Sequence, residues 1–155
     1  MKLRFCVSGK LRKGPELVIF NRYLSRARKI GRLVNIYPIE ISEFEGANWT
    51  RFLKKLGSSK LSQLRTCKVL LNERGKKLSS KAFAETLSVH RDNGIQDIIF
   101  CIGGSDGIPT KFTDHFDESI SLGNMVWPHV LVRAMLMEQV YRTCTILAGL
   151  PYHKD

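Results

Sequence analysis

The chain is expected to fold as an α/β protein with a mostly parallel sheet and helices on both faces. Three observations predict this. Short strand-like runs alternate with amphipathic helical stretches along the length of the chain. Two of the runs, Lys68-Val69-Leu70-Leu71 and Ile98-Ile99-Phe100-Cys101-Ile102, are nearly continuous in apolar residues, the pattern of strands covered on both faces. The second runs straight into a glycine-rich turn, Gly103-Gly104-Ser105-Asp106-Gly107, and ligands of open parallel sheets sit beyond the carboxyl ends of strands.

The elements follow in order. Leu3, Phe5 and Val7 alternate with Lys2, Arg4 and Cys6, a half-buried strand closed by Ser8-Gly9. Lys10 to Gly14 is a basic loop, and Pro15 suits the first turn of a helix. Leu17, Phe20, Leu24, Ala27 and Ile30 then recur at the helical period. Arg22, Arg26 and Lys29 occupy another stripe of that helix, next to the basic loop, where they could meet phosphates. Val34 to Ile41 alternates and carries Pro38, which favours an edge or strand-end position. Ser42 to Gly46 reads as a turn. Trp49, Phe52, Leu53 and Leu56 form a short amphipathic helix with Lys54 and Lys55 outside. The strand over Lys68–Leu71 is expected to end at Asn72-Glu73-Arg74-Gly75. Ser79-Ser80 caps a helix in which Phe83, Leu87 and His90 share a face, and Gly94 ends it. After the glycine turn the chain is polar as far as Glu118. A short last strand, Ser119–Leu122, leads through a second glycine-started loop into a helix from His129 to about Ala148. That helix is apolar nearly all round, so it is expected to bury one side on the sheet and the other on a partner subunit.

A chain of 155 residues is expected to form one domain over its whole length, 1–155. No apolar run approaches the roughly 18 residues of a membrane span, and the start lacks the apolar core of a signal peptide. A cytoplasmic protein without membrane association is the expectation. Cys6, Cys67, Cys101 and Cys144 are far apart in sequence, so no metal-ligand spacing exists and no metal is expected. They read as reduced core thiols. Net charge is +11 and uneven. Residues 1–77 hold 19 Lys and Arg against 5 Asp and Glu, whereas residues 78–155 hold 6 against 9. A basic half beside a mildly acidic one points to a polyanion partner, with nucleic acid ahead of a membrane.

An ordered set of residues carries a more specific reading. It comprises Ile102-Gly103-Gly104-Ser105-Asp106-Gly107, Ser121-Leu122, Trp127-Pro128-His129, Arg133, Glu138 to Arg142, and Pro151-Tyr152-His153-Lys154 at the end. Together they resemble the ribosomal large-subunit methyltransferase H family, small SPOUT-class enzymes, and the similarity runs from Met1 to the C-terminus. The resemblance implies a C-terminal trefoil (α/β) knot and a homodimer packed through it. It implies S-adenosylmethionine as cofactor and methylation of N3 of a pseudouridine in helix 69 of 23S rRNA, on assembled ribosomes. By position, cofactor contacts are implied for Leu71, Gly103 and the loop Leu122, Gly123, Asn124, Met125, Val126 and Trp127. His129, Arg133, Tyr152, His153 and Lys154 are the implied catalytic set. The tail is expected to position the target base, from the partner subunit if need be, with His153 as proton acceptor and Tyr152 stacking. Lys154 stands where many relatives have arginine, which keeps the charge and loses the bidentate fork. The segment between Ile41 and Thr66 is shorter than in many relatives.

Two other readings compete. A non-catalytic RNA- or ribosome-binding protein would share the basic N-terminal half but has no need of two glycine loops at strand ends. A nucleotide-dependent oxidoreductase would carry G-x-G-x-x-G after the first strand, where this chain has Ser8-Gly9-Lys10-Leu11-Arg12.

Overall fold

The computed structural model describes residues 1–44, 49–58, 65–104 and 106–153; side chains of residues 55–58 lie outside that description. Of the expected turn at Ser42 to Gly46, residues 42–44 are instead the end of a strand paired with Cys6 to Ser8, and Glu45 and Gly46 lie outside that description. The roles expected of Leu56, Lys55, Ser105 and Lys154 fall on residues outside it.

Five strands form one sheet in the order β2-β1-β4-β3-β5. They are β1 (Lys2–Ser8), β2 (Ile39–Phe44), β3 (Thr66–Lys77), β4 (Asp97–Ile102) and β5 (Glu118–Ser121). Every pairing is parallel. Four α-helices are described: α1 (Pro15–Gly31), α2 (Trp49–Ser58), α3 (Ser80–Asp92) and α4 (His129–Leu147). A 3₁₀ turn at Thr110–His115 occupies the polar stretch before β5.

The pairing register explains the core. Phe5 of β1 lies opposite Phe100 of β4, which lies opposite Val69 of β3. Alternation puts Leu3, Phe5, Val7, Ile98, Phe100 and Ile102 on one face, where they meet α1, α3 and α4 through Phe20, Phe83, Met137 and Val140. Phe100 is fully buried, with ring centroids 5.6 Å from Phe5 and 6.0 Å from Phe83. Truncating such a residue to alanine costs about 3–5 kcal/mol. Cys6, Ile99 and Cys101 point to the other face, under Phe52 of α2 and Ile108 and Phe116 of the loop before β5. Both faces are covered, which is why β4 reads as an unbroken apolar run. All four cysteines are buried and unpaired in disulfides, as their scatter through core elements suggested.

Two strand boundaries differ from the sequence reading. The strand expected over Val34–Ile41 begins only at Ile39. Val34 and Ile36 are buried in the connection instead, where Asn35 takes positive φ and the Tyr37–Pro38 bond is cis. Their alternation reflects a loop pressed on the core, not a ladder. The edge position inferred from Pro38 does hold for β2. In β3 the expected end at Asn72–Gly75 is an outward excursion. Leu71 and Lys76 both pair with Ile120, so four residues bulge out before the strand resumes to Lys77. Arg74 N–H donates to Asn72 Oδ1 at 2.9 Å, which folds the excursion on itself. A Cβ on Gly75 would lie 2.5 Å from the Ile120 carbonyl carbon, so only glycine lets the strands close again.

Candidate active site

In a parallel sheet the loops after each strand gather at one edge. Here that carboxyl edge collects Gly9 after β1, Gly103, Gly104 and Gly107 after β4, and Leu122 to Pro128 after β5. Gly103 is buried, and a Cβ there would lie 2.7 Å from the Gly107 carbonyl carbon. Gly107 takes φ 69° and its N–H donates to the Gly104 carbonyl at 3.0 Å, closing the turn. Leu71 pairs with Ile102 immediately before this turn. Leu71 and Gly103, separated by 31 intervening positions in the chain, thus lie on neighbouring strands at the same edge.

The loop after β5 begins under control and then opens. Ser121 Oγ donates to the Gly123 carbonyl at 2.7 Å and also faces the Gly123 N–H at 3.3 Å. Gly123 takes φ 134°. Asn124, Met125, Val126 and Trp127 are exposed, Met125 by 69% and Val126 by 79%. Apolar side chains displayed this way on a loop form a surface suited to a flat, neutral ring system.

Below Leu122 and Gly123 a cavity of about 510 Å³ runs between α1, α3 and α4. Its walls include Tyr23, Phe83, Met135 and Glu138. That volume lies within the usual range of small-molecule sites, roughly 300–1,000 Å³. The tail reaches its rim. The Tyr152 hydroxyl donates to Glu138 Oε1 at 3.1 Å and lies 3.3 Å from the Tyr23 hydroxyl. Glu138 also takes two hydrogen bonds from Arg142, at 2.7 and 3.1 Å. The Arg142 guanidinium stands 4.9 Å from the Tyr152 ring centroid. His153 Nδ1 faces Arg142 Nη1 at 3.3 Å. Burial, the Tyr23 hydrogen bond and the Glu138 charge raise the Tyr152 phenol well above its ordinary value. It is a hydrogen-bond donor at neutral pH, not a phenolate. Hydrogen bonding to Glu138 raises Arg142 further, keeping it cationic.

His129 and Arg133 stand at the start of α4, on the first and second turns. Arg133 is 3% exposed; its Nη2 donates to the Ser8 carbonyl at 2.7 Å and its Nη1 lies 3.6 Å from Glu43 Oε1. It ties α4 to the ends of β1 and β2. Its Nε is buried without a partner among the described residues. Burial first, then the Arg133 charge, lower the His129 pKa, so the imidazole is neutral at neutral pH.

The expected site residues therefore fall into two groups. Leu122 and Gly123 line the cavity together with Tyr23 and Glu138, the two residues that hold the Tyr152 hydroxyl. Gly103, His129 and Arg133 gather at the strand ends. From Arg133 to Arg142 the helix rises about 14 Å, so within one chain His129 and His153 do not meet. Tyr23 and Ser8 complete these arrangements and were not singled out from the sequence. Tyr23 lies one step off the basic stripe of α1, and Ser8 was read only as a strand end.

This edge, with glycine turns, an exposed loop and a cavity on an all-parallel sheet, is the candidate small-molecule site. Comparison with known proteins gives the class. The family described as predicted SPOUT methyltransferase matches residues 1–153, and the chain belongs to that family. Among curated relatives, a protein of Ruegeria sp. (strain TM1040) is 44% identical with 99% of each chain covered. One from Cereibacter sphaeroides is 43% identical over 99% of each, and one from Paracoccus denitrificans 40% over the whole of both. All three are named ribosomal RNA large subunit methyltransferase H. The backbone also aligns with the SpoU methyltransferase AviRb from Streptomyces viridochromogenes in complex with AdoMet. That alignment has a TM-score of 0.46 and 8% identity, covering 92% of this chain and 57% of that one.

Proposed function

We propose that this protein transfers a methyl group from S-adenosylmethionine to N3 of a pseudouridine in helix 69 of 23S rRNA, on assembled ribosomes. The observation that carries the reading is the exposed Leu122–Trp127 loop over the 510 Å³ cavity, beside a basic helix. The full-length relatives supply the ribosomal RNA target class. Bound there, the cofactor supplies a methyl carbon activated by a sulfonium. Residues Leu71, Gly103, Leu122, Gly123, Asn124, Met125, Val126 and Trp127 hold it. The fit is chemical: backbone groups and apolar side chains suit an adenine edge, and no acidic ribose-binding signature is required.

Methylation at N3 would need the imide proton removed, a task for a proton acceptor of this chain. His129, neutral at pH 7, is a proton acceptor at the strand ends. His153 accepts the proton only after releasing Arg142, because its Nδ1 is turned to that guanidinium. Arg133 positions the start of α4. Tyr152, His153 and Lys154 position the base and its phosphates. The distance between the two groups of residues supports a homodimer in which the partner's tail completes each site. Exposed Val18 and Ile19 on α1 offer apolar surface for it. The C-terminal trefoil knot belongs to the same proposal.

Arg22, Arg26, Arg28, Lys29 and Arg32 are exposed along α1 and follow the basic loop Lys10–Gly14. Arg26 stands 5.9 Å from the Tyr141 ring centroid, next to the tail, so the stripe leads toward the site. Phosphates along an RNA backbone fit this stripe. A protein that modifies ribosomal RNA works in the cytoplasm, where ribosomes are. No described helix is long and apolar enough to cross a membrane.

The test is transfer of labelled methyl to ribosomes whose large-subunit RNA lacks the modification, with free RNA and small subunits alongside. Label in the helix 69 pseudouridine of assembled ribosomes is the expected result. Cofactor binding without label would mean another target. Neither binding nor label would favour a non-catalytic RNA-binding protein.

A further inference from the structure

At the amino edge of the sheet, opposite the candidate active site, three ligating side chains converge from three elements. Cys67 is the second residue of β3, Glu118 the first of β5, and His90 lies in the last turn of α3. The sheet order brings β3 beside β5, and α3 leads back to this edge. His90 Nε2 lies 2.8 Å from Glu118 Oε1 and 4.0 Å from Cys67 Sγ. All three ligating atoms lie within 4.8 Å of one another.

Zinc bonds of roughly 2.3 Å to sulfur and 2.0–2.1 Å to nitrogen, at a tetrahedral angle, place S and N roughly 3.6 Å apart. The same geometry places N and O roughly 3.4 Å apart. The observed 4.0 and 2.8 Å lie on either side of these values, and all three ligating atoms are close enough for side-chain rotation to bring them onto one ion. Cys67 is 5% exposed, while the His90 and Glu118 side chains are 19% and 36% exposed. The cluster is closed toward the core and open toward water, which leaves one position for a solvent ligand. Burial, then the charges of Glu118 and Asp117, push the Cys67 thiol up to about 12.

We propose that Cys67, His90 and Glu118 form a three-ligand zinc site with water in the fourth position. On binding, the Cys67 thiol releases one proton to solvent as the S–Zn bond forms. The His90 proton moves from Nε2 to Nδ1, freeing the Nε2 lone pair, and Glu118 exchanges its hydrogen bond for the metal. The ion cross-links β3, α3 and β5 at the edge away from methyl transfer.

The test strips the full-length protein with a chelator, then titrates it with cobalt(II) and zinc(II) while recording absorption. One equivalent of cobalt is expected to give tetrahedral d–d bands and a thiolate-to-cobalt charge-transfer band, both abolished by zinc. Cys67→Ser removes the charge-transfer band and weakens zinc binding about 100-fold, and His90→Gln and Glu118→Gln weaken it about tenfold or more. Cys144→Ser, at a buried thiol in α4, leaves the spectrum unchanged. Absence of the charge-transfer band in the unmutated protein, or its survival in Cys67→Ser, overturns the site. If Cys67→Ser does not fold, Glu118→Gln decides: unchanged zinc affinity contradicts the proposal and weakened affinity supports it.

Discussion

The two edges of the sheet use opposite chemistry. At the carboxyl edge, side chains are withdrawn: Gly103, Gly104, Gly107 and Gly123 leave backbone groups within reach, and apolar Met125 and Val126 face water. At the amino edge, side chains lock the strands together. Arg4 of β1 pairs with Asp97 of β4, which is fully buried, and Asp117 accepts the Lys68 N–H at 2.7 Å. His90 and Glu118 pair beside Cys67. The amino edge is held by ion pairs and side-chain hydrogen bonds, whereas the carboxyl edge ends in glycine turns closed by local hydrogen bonds and in an exposed loop. Burial raises the Asp97 carboxyl against the pull of Arg4 and Lys2, a cost accepted at the locking edge.

That contrast can be broken from either side. The largest effect is expected from Gly103→Arg, which drives a side chain into the Gly107 backbone and should abolish both cofactor binding and methyl transfer while the fold persists. Calorimetry with unchanged affinity would remove Gly103 from the site. Deleting residues 152–155 should abolish methylation and spare cofactor affinity, since the tail meets Glu138 and Tyr23 rather than the glycine turn. A truncated protein with full activity would show that the tail does not position the base. Asp97→Ala strands Arg4 and should cost about 3–5 kcal/mol in urea unfolding, with cofactor affinity of the folded protein unchanged. A loss below about 1 kcal/mol would mean the pair locks nothing. The smallest effect concerns pH. His129 has a folded pKa below 6.5, so the folded chain binds that proton less readily than the unfolded chain. Its contribution is fully present above pH 6.5 and is lost as pH falls from there toward the lower folded value. His129→Asn should flatten the fall of Tm with acid in that window, and an unchanged slope would contradict the assignment.

Much of the carboxyl edge was legible in the sequence, because its features are local. Strand runs end in glycine turns, and Pro38 marked an edge strand. What escaped depends on strand order. Cys67, His90 and Glu118 are separated by 23 and 28 positions and meet only because β5 pairs with β3 rather than with β4. Cysteine spacing alone therefore argued against any metal cluster. Arg133 and Ser8 are 125 residues apart and touch at 2.7 Å, a contact that no periodicity reveals. The start of β2 was misplaced because Val34 and Ile36 are buried in a loop, and burial in a loop alternates as readily as burial in a strand. The tail drew notice by its composition, yet its docking on Glu138 follows from where α4 ends.

The central claim is that the methyl donor binds at the carboxyl edge and nowhere near the amino edge. Amide hydrogen exchange with and without S-adenosylmethionine tests it most directly. Exchange should slow in residues 121–127 and around Gly103 to Gly107, with no change at residues 66–67 and 117–118. Protection at the amino edge, or loops whose exchange ignores the cofactor, would contradict the account.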